Sequence, residues 1–208
     1  MRDGHDETAR LYGPWRRRTP EDAAALLTGY PGVWWVAGGW AIEAFTGVPR
    51  QHCDLDLGIP RSDVAALRRH VTGRLDVWAA DRGALRPLVA PDDAPPPTSG
   101  NLWLRHSGAD PWEYDVLLTP VADGVLTYRR DPRVRLPLHA ALWERAGLRH
   151  LRPEVQLLHK APGRRPQDEA DLEACLPLLD DDARRWLRDA LDLAHPGHPW
   201  VDRLVTAS

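Results

Sequence analysis

The sequence predicts an α/β (α+β) fold: a mixed sheet flanked by helices, followed by a C-terminal helical region. Three observations lead there. Short runs of β-branched and aromatic residues, or runs alternating polar and apolar with period two, recur through the first two thirds of the chain. Segments with helical spacing and recognisable start signals lie between them. From Pro153 onward strand formers give out and helix formers take over.

Thr19-Pro20-Glu21-Asp22 offers an N-cap, a proline at the first helical position and an acid at the third, so a helix should run from there to about Thr28. Tyr30-Pro31-Gly32 stops it. Val33–Ala37 is a short apolar run expected to be a buried strand, and Gly38-Gly39 turns the chain into a helix that ends near Gly47 and Pro49. Asp54–Ile59 alternates with period two and reads as a strand. Val64, Leu67 and Val71 then repeat at helical spacing behind Ser62-Asp63. Strands are expected at Leu75–Ala80, Leu85–Val89, Leu102–Leu104, Trp112–Thr119 and Val125–Tyr128, with four prolines marking 91–100 as a loop. Helices are expected over Pro153–Lys160, Gln167–Leu179 and Asp182–Ala194. On this character change the chain divides into a core over 1–150 and a helical region over 151–208.

Composition narrows the function classes. At 208 residues, 43% hydrophobic and 27% charged, the chain can bury a sizeable core and is not compositionally disordered. A net charge of −3 gives no broad basic field for nucleic acid, which argues against DNA or RNA as the main partner. No apolar run is long enough to span a bilayer, and the N-terminus lacks the apolar stretch of a secretory signal. Two cysteines, Cys53 and Cys175, lie far apart without metal-site spacing, as expected of a reducing, cytoplasmic setting. All but one of the 27 basic residues are arginine, and the exception is Lys160.

The residues that carry chemistry begin with Asp54-Leu55-Asp56. Carboxylates two apart on a strand project from one face, and their hard oxygens suit Mg²⁺. Gly38-Gly39 stands between a strand and a helix start, where backbone N–H groups free of side chains can approach phosphate and the helix dipole favours negative charge. A phosphate cradle beside metal ligands is what phosphoryl or nucleotidyl transfer requires. A third carboxylate would come from the apolar strand Trp112–Leu118. Glu113 and Asp115 share a face there, and Asp115, nearer the strand centre, is preferred.

Trp35-Val36-Ala37-Gly38-Gly39-Trp40-Ala41-Ile42-Glu43, followed by Arg50-Gln51-His52-Cys53-Asp54-Leu55-Asp56, resembles the aminoglycoside and lincosamide nucleotidyltransferases of the DNA polymerase β superfamily. That group shows a G-G-W-A-[IL]-D block, a loop with R-x-H, and D-[IL]-D. Glu43 departs from it, standing where Asp is usual. Pro153–Lys160 and Asp168–Leu172 resemble the group's P-E-x-x-L-x-x-K and K-D-x-x-D segments, with Gln167 in place of the second lysine. The resemblance covers roughly residues 20–180. It implies a nucleotidyltransferase-type fold and transfer of a nucleoside monophosphate, most simply AMP from ATP, to a hydroxyl of a small, antibiotic-like molecule. It further implies Asp54 and Asp56 as ligands of two Mg²⁺ ions, Asp115 as third ligand or base, and Lys160 as a phosphate contact, a role that also suits a compact ammonium.

Other residues read two ways. His52 can touch a phosphate or hold the loop backbone; Arg50 can bind phosphate or pair with a carboxylate. Cys53 should face the core, opposite Asp54. His195 and His198, among prolines, suggest an extended tail. Trp40, Trp78, Trp103 and Trp112 offer stacking surfaces. Two other functions stand beside the leading one: a toxin-like transferase acting on tRNA or protein, and a nucleotide-binding module without catalysis.

Overall fold

The structure, a computed structural model, describes residues 10–205. It is a mixed α/β protein whose chain falls into two compact units, one of 1–36 with 51–119 and the other of 37–50 with 120–208. This division by contact does not follow the change in sequence character near residue 150. The segments 37–50 and 120–150 pack with the C-terminal helices because Ile42 and Tyr128 belong to the same buried cluster as Leu157, Leu172, Leu187 and Trp200.

The first unit is built on strands β1 (Trp35–Val36), β2 (Asp56–Pro60), β3 (Asp76–Asp81), β4 (Ala84–Pro87), β5 (Asn101–Arg105) and β6 (Trp112–Thr119), side by side in the order β1-β2-β6-β5-β3-β4. β2 and β6 run parallel and the other pairs antiparallel, so the sheet is mixed. Helix α1 (Pro20–Leu26) opens with the expected cap: Thr19 accepts from the Asp22 N–H while Asp22 accepts from the Thr19 N–H. Val64, Leu67 and Val71 form the buried stripe of α3 (Val64–Val71). Gly58 is in register with Trp35 and lies under its indole; a Cβ at residue 58 would fall 2.0 Å from Trp35 Nε1.

Trp103 contacts Tyr12, Trp15 and Trp112 edge-on at ring distances of 5.8, 5.1 and 5.4 Å, and Trp78 meets Trp112 at 5.9 Å. The Arg105 guanidinium lies 4.5 Å from the Trp78 ring and 4.1 Å from that of Trp112. Trp78, Trp103 and Trp112 therefore pack against one another and are not a stacking surface held open for a ligand; Trp112 is fully buried.

In the second unit, helix α2 (Gly38–Thr46) is joined by a small antiparallel sheet of β7 (Val121–Ala122), β8 (Val125–Thr127) and β9 (Arg135–Pro137). The short helix α4 (Leu138–Ala141) leads into the hairpin β10 (Leu142–Arg145) and β11 (Leu148–Leu151). Helices α5 (Pro153–Lys160), α6 (Pro166–Cys175), α7 (Asp181–Ala194) and α8 (Trp200–Leu204) complete it. The hairpin went unforeseen because Leu142-Trp143-Glu144-Arg145 carries a helix former or a polar residue at most positions. The His195–His198 segment is a turn against the core, not an extended tail: His195 Nε2 lies 3.0 Å from Tyr128 Oη, and His198 Nε2 lies 3.0 Å from the Ala161 carbonyl. Among the described residues no helix is long and apolar enough to cross a membrane.

Candidate active site

Asp54 and Asp56 flank Leu55, which is fully buried, so alternation turns both carboxylates to the other side of the chain, where each is partly exposed. Asp54 sits in a bend just before β2 rather than within the strand, and pairing with β6 reaches its neighbour Leu55, whose carbonyl accepts from the Asp115 N–H at 3.0 Å. The same bend frees Cys53 from strand alternation, and its thiol is exposed instead of facing the core.

Asp115 stands directly across from Asp56 in the parallel β2–β6 register and directly across from Trp103 in the β5–β6 register. Neighbouring strands lie about 4.8 Å apart, so these side chains share one face of the sheet. Burial pushes the Asp115 carboxyl well above the usual carboxylate range, and the Asp56 and Asp54 charges add to the rise. Asn101 opposes it: its Nδ2 donates to both carboxylate oxygens, at 2.8 and 3.0 Å. The Trp103 indole N–H also favours the carboxylate, although it makes no well-formed hydrogen bond. The charged groups that bear most on Asp115, Asp56 and Asp54, are both carboxylates. In a chain with so many arginines, this concentration of hard oxygen donors fits a divalent cation.

Geometry distinguishes Asp115 from Glu113. Arg18 grips Glu113 through Nη2 at 2.5 Å and Nε at 3.1 Å, and Arg16 approaches at 3.4 Å. Glu113 is nearly fully buried and holds the N-terminal arm on β6, whose backbone also pairs with Pro14 and Arg16. Asp115 is therefore the member of the pair that faces Asp54 and Asp56. Among the described residues, no three His, Cys, Asp or Glu side chains are drawn to metal-ligating spacing.

The remaining sequence-predicted residues lie in the second unit, apart from the half-buried His52. Gly38 begins α2 at φ +61°, a left-handed conformation that favours glycine, and its N–H donates to Gln156 Oε1 at 2.7 Å. That amide is taken up within the fold, and Gly39 follows it in the first turn of α2. Glu43, longer than the aspartate usual in the resembling group, accepts from the Arg50 N–H at 3.0 Å and so braces the loop after α2.

Lys160 is not a surface lysine. It is almost fully buried, with Nζ 2.9 Å from Asp171 and 3.3 Å from Asp168. Arg50 pairs with Asp171 at 3.2 Å and Arg165 with Asp168 at 2.9 Å. Burial alone would raise Asp168, but Arg165 and Lys160 outweigh it and hold its carboxyl below the usual range. The ammonium expected to face a phosphate is paired here with two buried carboxylates. Sequence reasoning singled out neither Gln156, which holds the Gly38 amide, nor Asn101, which holds Asp115. Sequence reasoning passed over Asn101 because an asparagine at a strand start reads as a turn residue.

The sequence matches no protein-family model and no curated protein. Among solved structures, a lincosamide antibiotic adenylyltransferase, LnuA, in its lincomycin-bound form, superposes with TM-score 0.51 at 14% identity, over 76% of this chain and 97% of that one. ANT(2″)-Ia in complex with adenylyl-2″-tobramycin gives 0.50 at 19% identity, over 80% of this chain and 91% of that one. The solution structure of the antibiotic-resistance factor ANT(2″)-Ia gives 0.51 at 19%, over 89% and 91%. The protein has the fold shared by these lincosamide and aminoglycoside nucleotidyltransferases.

Proposed function

We propose that this protein is a nucleotidyltransferase that moves the nucleoside monophosphate of an NTP, ATP foremost, onto a hydroxyl of a small molecule. An aminoglycoside or lincosamide is the acceptor class suggested by the shared fold. The observation that carries the proposal is the carboxylate set: Asp56 and Asp115 in direct register on parallel strands, with Asp54 close enough to bear on the same buried charge.

Asp54, Asp56 and Asp115 would hold Mg²⁺. A divalent cation bound there offsets charge on the triphosphate and on the departing pyrophosphate. Asp115, raised by burial and by its neighbours, is suited to take the acceptor's hydroxyl proton as the acceptor oxygen bonds to the α-phosphorus. The bond from that phosphorus to the bridging oxygen breaks, and pyrophosphate leaves with the electron pair. Glu113 takes no part because Arg16 and Arg18 of the N-terminal arm already hold it.

Transfer from α-³²P-ATP to a panel of aminoglycosides and lincosamides, with Mg²⁺ and with a chelator, tests the reading. Label should pass to an acceptor only with metal, and Asp54→Asn or Asp56→Asn should lower turnover at least about a hundredfold without unfolding the protein. Turnover near wild type in either variant would sink the assignment.

A further inference from the structure

We infer that Asn101 is a positioning residue for Asp115, fixing the plane of its carboxylate for the chemistry proposed above, on which this inference rests. One amide group donates to both oxygens of the same carboxylate, at 2.8 and 3.0 Å. A carboxylate held at both oxygens cannot rotate about its terminal bond without breaking one contact. Its remaining lone pairs are thereby fixed in direction. Cation–ligand bonds are short and direction-sensitive, so the amide sets whether Asp115 can meet a metal shared with Asp56.

The amide is itself held from behind. Asn101 opens β5, and the fully buried Ser99 donates its hydroxyl to the Ala80 carbonyl at 2.9 Å and to the Asn101 carbonyl at 3.0 Å. Arg61, the first residue after β2, donates to the Ser99 carbonyl at 2.5 Å and to that of Pro96 at 2.6 Å. The strand bearing Asp56 is therefore linked through Arg61 and Ser99 to the residue that orients Asp115. This braced path gives the two carboxylates a common mechanical reference, which a solvated asparagine could not provide.

The test uses the full-length protein and two variants without the donor. Asn101→Leu keeps the branching at Cγ, and Asn101→Ala is smaller and carries the test if the leucine variant does not fold. Mn²⁺ affinity, read by calorimetry in the presence of the non-transferable analogue α,β-methylene-ATP, should weaken about 10- to 100-fold. With ATP and an acceptor, kcat should fall by a similar factor while the acceptor KM and the melting temperature stay near wild type. Asp115→Asn, measured alongside, separates the two levels of the argument. If Asp115→Asn loses turnover while a folded Asn101 variant keeps wild-type Mn²⁺ affinity and kcat, the positioning role is overturned. If Asp115→Asn itself keeps wild-type turnover, the proposed reaction fails instead.

Discussion

Gly58→Ala tests the packing that sets β2 in place. A Cβ there would fall 2.0 Å from Trp35 Nε1, 2.1 Å from Cε2 and 2.6 Å from Cζ2, well inside any real carbon contact. Trp35 is 1% exposed and cannot swing into solvent without opening the core. Either the indole leaves its site, a loss comparable to truncating a buried tryptophan at about 3–5 kcal/mol, or β2 shifts, with an overpacking cost of roughly 1–3 kcal/mol. Taking about 3–5 kcal/mol, the melting temperature should fall by roughly 6–20 °C for a chain of this size. Calorimetry or circular dichroism at neutral pH measures it. Trp35→Val in the Gly58→Ala background should recover stability relative to the sum of the single changes, because it removes the colliding ring. A Gly58→Ala protein melting within about 2 °C of wild type would refute the reasoning.

Other expectations follow from buried charge. Lys160→Ala leaves Asp168 and Asp171 buried without their shared ammonium and should cost about 3–5 kcal/mol, whereas Lys160→Arg, which keeps the charge, should cost less; denaturant titration ranks the two. A Lys160→Ala protein as stable as wild type would mean the cluster relaxes into solvent. Burial, helped by Arg130 and Arg129, lowers His159 to about 4 from an ordinary value of 6.5. The unfolded chain therefore binds more protons between those values: the contribution is complete above about pH 6.5 and is lost as pH falls towards 4, to an extent of order 1–3 kcal/mol. Melts at pH 7, 5.5 and 4.5 should show this slope, and His159→Gln should flatten it.

Where local chemistry decides structure, the sequence was legible. The Thr19 cap, the α3 stripe, the strand Trp112–Thr119 and the helix Pro153–Lys160 lie where spacing and end signals put them. The mixed sheet and the proximity of Asp56 to Asp115 followed from two short strands with carboxylates facing one way. What could not be read is how distant polar groups are used. Nothing near Glu113 in sequence announces that Arg16 and Arg18 will claim it. The isolation of Lys160 among arginines suggested a special role, but its partners lie one helix further on. Cys53 was misplaced because strand alternation was extended one bend too far.

The Gly38–Gln156 contact joins residues 118 apart in sequence. At about 5–20 residues per second, the ribosome delivers Gln156 roughly 6–24 s after Gly38. Ile42, on the same helix, waits almost as long for Leu157 and longer for Leu172, Leu187 and Trp200 of its core. An N-terminal fragment ending near residue 120 would thus carry α2 with its apolar side lacking the core it belongs to, and its first amide without its acceptor. During synthesis the completion of α5 supplies the acceptor for that amide, and the core around Ile42 closes only when the later helices bring Leu172, Leu187 and Trp200.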